Sequence, residues 1–461
     1  MNGFLKKKNF IPKRSAKRVV YNRFYPVGAV KNGAGALVAT DNRNCDFFGQ
    51  KLRCNLGASR YKLKNEALNI PMCPADYGTP KDVFAFEFAY DDGVKDSIGI
   101  VMGNNRLFIY DELTGEPSLK LMATGINFQK AIRVFDESGN EKLLLCYNDK
   151  IYRYEPIGMV KTLWLEQAVT DACFFKERLF ICNGNTIKYS APNDYENLTQ
   201  SVDDGGEIKL ISERGNAVAF AVMGESVYAF FEKGVLKLEL NGAGRDFVVI
   251  NEPYGGEKIV KGSVCVCGDK VCFLAYDGVY SFDGNDFKRI GGNLAVGVNV
   301  KTSYCRSAYE FGRYYLTFDD AYGVRRTVYF DLDDEDNFGE VFGMSAIGNC
   351  NGRTVCIKDG YVCSLDAKGT LPINDKYSFK VENTDFSVSG EKFWRAIELR
   401  GRGKCVVKAK GRNGTKSWSL ELKGQEKRLV GVKGELFTLE IELKKDCVIE
   451  ELVVDLEKIG G

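Results

Sequence analysis

Along most of this chain apolar and polar side chains alternate with a period of two, in short runs rich in Val, Ile, Phe and Tyr that stop at Gly, Asn or Asp. Period two marks a half-buried strand and the stops are turn formers, so the pattern predicts strands joined by hairpins. Helical periodicity is nearly absent: only KDVFAFEF near residue 81 and the stretch around Trp164 read either way. The expected fold class is all-β.

One element recurs. YDGVYSFD at 276–283 shares its turn and its alternating strand with NNRLFIYD at 104–111, NDKIYRYE at 148–155, NGNTIKYS at 183–190, EKGVLKLE at 232–239 and KDGYVCSLD at 358–366. Anchored on Leu107, Ile151, Ile187, Val235, Val279, Val328 and Val362, the copies lie 44, 36, 48, 44, 49 and 34 residues apart. Those separations straddle the roughly 40 to 50 residues of a four-stranded propeller blade. An earlier hydrophobic strand (LLLCYND, ERLFICNG, VYAFFEKG, KVCFLAYDG, YYLTFDD, TVCIKDG) runs into each turn, where Asn, Asp and Gly tolerate the positive φ that tight hairpins need. Small sheets cannot bury both faces alone, and radial stacking around an axis does it for them. The repeat predicts a β-propeller over 81–377, seven-bladed by count. Six or eight blades stay open because the sixth copy, FGRYYLTFDDAYGVRRTVYFDLDDEDNFGE, is irregular.

The flanks differ. Residues 1–80 hold a basic arm and Gly-rich VKNGAGALVATDNRN, and are expected to supply a ring-closing or docking segment. Beyond about 378 the strands are longer and more strictly alternating, with GRNGTKS as a hairpin turn, which predicts a separate C-terminal β-sandwich over 378–461.

Charge changes the picture only locally. The chain carries 64 basic and 62 acidic residues, yet no acidic residue precedes Asp41, while Lys6, Lys7, Lys8, Lys13, Arg14, Lys17 and Arg18 crowd the start. Those seven are the candidate interface residues, against the plainer reading of a solvated tail. No stretch approaches the roughly 20 apolar residues that span a bilayer, and no secretory signal pattern is present. The 15 cysteines are scattered and odd in number, which suits reduced, packed thiols.

The chain has no histidine, which removes Ser-His-Asp and Cys-His catalysis and His-ligated catalytic zinc. Among the remaining candidates, SVDDGGEIKL at 201–210 matches a structural Asp-box turn apart from Ile208 where an aromatic is expected. DLDDEDNFGE at 331–340 has Asp336 where a calcium loop needs Gly. Cys265, Cys267 and Cys272 lack the Cys-x-x-Cys pairs of zinc sites, and Asp82, Asp91 and Asp92 suit loop solvation as well as catalysis. No catalytic residue, metal or cofactor is expected.

Short phrases carry a resemblance. YSAPNDYEN within 177–198, YDGVYSFDG, RTVYFDLDDEDNFGE and EKFWRAIELRGRGKCVVKAKGRNG resemble segments of bacteriophage neck and tail β-propeller virion proteins, of the tail nozzle, tail hub or stabilisation type. The resemblance implies a non-enzymatic virion protein made in the host bacterial cytoplasm. It would form a ring homo-oligomer, a hexamer, around the DNA exit channel, with portal, adaptor or tail proteins as neighbours and the basic arm as an interlocking element. The alternative is a carbohydrate-active or glycan-binding propeller, sialidase-like or receptor-binding, that works through carboxylates or Tyr.

Overall fold

A computed structural model describes residues 16–60, 80–366 and 377–459, with gaps inside the first two spans, the longest at 292–303. Apart from one 3-10 turn at Phe48–Gln50, every regular element among the described residues is a strand. They fall into two units, one drawn from 1–55, 336–340 and 374–461, the other from 56–335 and 341–373.

The larger unit is a seven-bladed propeller of antiparallel meanders. Blade 1 comprises Pro80–Tyr90, Gly93–Met102, Leu107–Asp111 and Ser118–Ala123, and blade 2 Phe128–Phe135, Glu141–Tyr147, Ile151–Glu155 and Val160–Leu165. Blade 3 comprises Asp171–Phe175, Arg178–Asn183, Thr186–Tyr189 and Gly206–Lys209, and blade 4 Ala217–Met223, Ser226–Phe231, Gly234–Leu240 and Phe247–Glu252. Blade 5 is Cys265–Cys267, Lys270–Ala275, Gly278–Phe282 and Phe287–Ile290. Blade 6 contributes Cys305–Glu310, Arg313–Asp319 and Arg325–Asp331 to this unit. First strands of successive blades lie side by side, and the first strand of blade 7 meets that of blade 1, so they line the axis and the ring closes.

Closure uses both ends of the unit. Blade 7 takes Met344–Cys350, Arg353–Lys358 and Tyr361–Asp366 from late in the chain and Gly57–Arg60 from early in it, paired through Cys363↔Arg60 and Asp366↔Gly57. The ring therefore cannot open without breaking a strand pair.

Packing explains the two sequence signatures. All seven anchors from Leu107 to Val362 fall on third strands. Second strands sit mid-sheet with a neighbouring blade on each face, so Ser226–Phe231 is buried at every position and Arg178–Cys182 likewise, and they read as continuous apolar runs rather than alternating ones. Between blades 4 and 5, for instance, Tyr228, Phe230, Val271, Phe273 and Phe282 interdigitate. Each such side chain contributes about 1.5–3 kcal/mol on full burial.

The smaller unit is a β-sandwich folded from one continuous sheet. Its central strand, Lys392–Gly411, pairs along its whole length with Gly414–Gly434. On its other side the first half pairs with Val448–Lys458 and the second half with Phe437–Leu443. The partner changes where the backbone passes close behind two glycines: a Cβ on Gly401 would stand 2.1 Å from Val448 O, and Gly403, at φ +90°, would place one 2.7 Å from Cys447 Cα. Glycine is required there, and it lets one strand serve both layers. Between the layers lie Phe379, Phe386, Trp394 and Phe437, with Trp394 4.9 Å from Phe386 and 5.4 Å from Phe437 ring to ring.

The expected segment 1–80 is divided between the two units. Ala16–Tyr21 pairs with Leu452–Glu457, and Asp41–Arg43 pairs with Ser378–Lys380. Tyr21, Phe24, Leu37, Cys45, Phe47 and Leu52 belong to the sandwich core. The reason is burial: residues 378–461 alone would leave the outer side of Val448–Lys458 unpaired and that core short of seven side chains, Ala39 included. KDVFAFEF and the Trp164 stretch are both strands.

Candidate functional site

Each blade begins with its innermost strand, so the starts of the first strands gather at one end of the axis, and charge gathers with them. Asp82 of blade 1 is buried and accepts from Tyr304 Oη at 3.1 Å and Arg306 Nε at 2.9 Å, with Arg306 Nη2 2.7 Å away. Blade 7 separates blades 6 and 1, so this ion pair reaches past it. The Tyr304 ring has Arg325 Cζ 3.5 Å and Arg306 Cζ 5.4 Å from its centroid. Arg325 also bonds Asp319 and donates to Ser345 O at 2.7 Å, tying blade 6 to blade 7.

Across the axis Asp171 of blade 3 accepts from Lys130 Nζ of blade 2 at 2.8 Å and from Phe220 N of blade 4 at 2.7 Å. Lys261, just ahead of blade 5, makes no ion pair among the described residues. Its neighbour Gly262, at φ +85°, would put a Cβ 2.1 Å from Cys305 O, and Ser307 Oγ lies 3.2 Å from Gly262 O. That packing sets Lys261 beside Arg306.

The electrostatics follow from these contacts. Desolvation opposes the charges on Lys130 and Arg306, but Asp171 and Asp82 respectively outweigh it and hold both above their ordinary ranges. Lys261 has no such partner: desolvation pulls its ammonium below the usual lysine range, with Asp171 opposing and Arg306 reinforcing. Burial pushes the nearby Cys146 thiol up to about 12 and raises Cys173 and Cys182, so these thiols are inert rather than nucleophilic. The cluster braces blades 1 and 6, and blades 2, 3 and 4, with Lys261 exposed to solvent beside it.

The sequence-predicted residues go elsewhere. Lys6, Lys7, Lys8, Lys13 and Arg14 lie outside the described residues. Lys17 and Arg18 lie on the sandwich strand Ala16–Tyr21: Lys17 Nζ donates to Ser387 O at 3.1 Å, and Arg18 Nη2 pairs with Glu398 at 3.1 Å. Asp82 is corrected from loop solvation to a buried ion pair, while Asp91, Asp92 and residues 201–204 of SVDDGGEIKL lie outside the described residues. Asp331 pairs with Arg313 at 3.2 Å and accepts from the N–H groups of Asp333 and Asp334, which makes the acidic run a turn. Cys265 faces Cys272 across paired strands, and no group of three or more Cys, Asp or Glu among the described residues is placed to hold a metal. Lys130, Asp171, Lys261, Tyr304 and Arg306 were missed; the available signal was a polar residue near the start of several otherwise apolar units.

The phrase YSAPNDYEN is a turn that seats an aromatic ring. Ala191 N donates to Asn197 O at 2.9 Å and Glu196 N to Asp194 Oδ1 at 3.1 Å. This sinks Tyr195 between blades 2 and 3, 5.3 Å from Trp164.

No family model matches the chain, and no curated protein matches it. Among solved structures it is similar to PorZ, a bacterial surface component of the type-IX secretion system of Porphyromonas gingivalis, at 10% identity and TM-score 0.40. The match covers 74% of this chain and 45% of PorZ, so the chain spans under half the length of that protein, and a likeness at this level carries no argument about function.

Proposed function

We propose that this chain is a non-enzymatic structural protein of a bacteriophage neck or tail, assembling as a homo-oligomeric ring, a hexamer, between portal or adaptor and tail components. What supports the reading, beside the short phrases that resemble such proteins, is the braced axis. Asp82 and Asp171 are each occupied by fixed cations on opposite sides of the ring, which stiffens the blades and engages both carboxylates in structural contacts. Glycoside hydrolysis needs two carboxylates about 5 to 10 Å apart across a substrate bond. A stiff disc suits stacking through heterologous contacts that close into a ring. The DNA path in this proposal follows the axis of the oligomer. Multi-angle light scattering and negative-stain imaging of the purified chain test it: rings are expected, and a monomer at every concentration that is also absent from a purified particle overturns it.

A further inference from the structure

The sandwich hairpin Lys392–Gly434 carries thirteen Lys and Arg residues against three Glu, a net charge of +10 in a chain whose total is +2. Everything outside it therefore sums to −8. The charge is also sorted by face. On the central strand Ile397, Leu399, Cys405, Val407 and Ala409 are core residues, whereas Arg400, Arg402, Lys404, Lys408 and Lys410 alternate with them on the outer side. Alternate residues on a strand are about 6.8 Å apart, so beyond the bend at Gly401 and Gly403 the row from Lys404 to Lys410 extends roughly 20 Å, with Arg400 and Arg402 leading into it across the bend.

Five of the thirteen cations pair at home, Arg395, Lys408, Lys423, Lys427 and Arg428, and Glu421, Glu442 and Glu451 stand opposite Lys404, Val406 and Arg400 in the paired strands. Lys408 pairs with Glu440 at 3.1 Å, but Arg400, Arg402, Lys404 and Lys410 form no ion pair among the described residues. Glu450 is held below the usual carboxylate range first by its own partner Lys51, 2.9 Å away, with Arg402 and Arg400 adding only a smaller pull. The adjacent strand Gly414–Gly434 pairs with no other strand, so beyond the row the sheet edge is open among the described residues.

We propose that this outer face binds the phosphate backbone of double-stranded DNA without regard to sequence. The inference goes beyond the assembly reading and does not depend on it. A row of cations with a period near two phosphate rises of one DNA strand, about 3.4 Å each, complements a polyanion of regular charge spacing. Between Arg400 and Lys410 the only apolar outward side chain is Val406, so the row lacks the buried aromatic or aliphatic anchor that a protein partner needs. Arginine forks suit phosphate oxygens.

Fluorescence anisotropy of the full chain with labelled duplexes of two unrelated sequences tests this. Four unpaired cations predict equal affinity for both duplexes and a slope of log K against log salt near −3.6, a loss of about 100-fold between 50 and 200 mM salt. The quadruple variant Arg400→Gln, Arg402→Gln, Lys404→Gln, Lys410→Gln is expected to lose at least that factor at 50 mM while keeping its circular dichroism. If it fails to fold, the double variants Arg400→Gln/Arg402→Gln and Lys404→Gln/Lys410→Gln decide, each expected to flatten the slope by about 1.8. Lys6→Gln/Lys7→Gln/Lys8→Gln is expected to bind like the parent chain. No binding by the folded parent, undiminished binding by the row variants, or polyglutamate competing as well as duplex of equal charge would each overturn the proposal.

Discussion

Asp82 holds a guanidinium and a phenol at the propeller axis, and removing its carboxylate leaves Arg306 partly buried without its anion. Breaking such a pair from one side costs about 3 kcal/mol. Asp82→Ala is therefore expected to lower the urea midpoint strongly, and adding Arg306→Met to recover most of the loss; a change under about 0.5 kcal/mol for Asp82→Ala would refute the brace. Neither partner's role was legible in the chain. Asp82 meets Arg306 at a separation of 224 residues, and nothing local to either names the other.

Strands reveal how far pattern carries. Third strands such as Ile151–Glu155 and Gly278–Phe282 were found because their alternation and their turns are local properties, and second strands because two covering blades demand unbroken apolar runs. Arg23–Tyr25, Asp41–Arg43 and Leu52–Cys54 are three residues each, too short to show any period, and their places come only from distant partners. The bend in Lys392–Gly411 was written in the chain as Arg-Gly-Arg-Gly, but its meaning depends on Val448–Lys458 crossing behind it. Gly403→Ala must force a Cβ against Cys447 at a strained φ, and is expected to cost about 2 kcal/mol. Gly424→Ala, also at positive φ (+108°) but with open space around it, is expected to cost less, and thermal melts of the two side by side check the difference. Equal losses would mean that backbone conformation alone, not the crossing, fixes the bend.

Across the whole molecule the division of residues 16–54 from 56–60 sets what can stand alone. Tyr21, Phe24, Leu37, Phe47 and Leu52 together contribute on the order of 10 kcal/mol of burial to the sandwich, as much as the entire stability of an ordinary domain. A fragment of residues 377–461 is accordingly expected to lack near-ultraviolet circular dichroism from Trp394, and to regain it when a peptide of residues 16–54 is added; a fragment that folds unaided would show the N-terminal strands to be accessory. The same arrangement has a consequence in time. Tyr377 leaves the ribosome more than 320 residues after Cys54, a delay of roughly 15 to 65 s at ordinary rates of synthesis. Through that interval the early strands exist without the partners that later cover them, while a propeller grows behind them. Nine basic residues and no acidic one precede Asp41, so nascent chains on neighbouring ribosomes repel one another through the segment that most needs to stay apart.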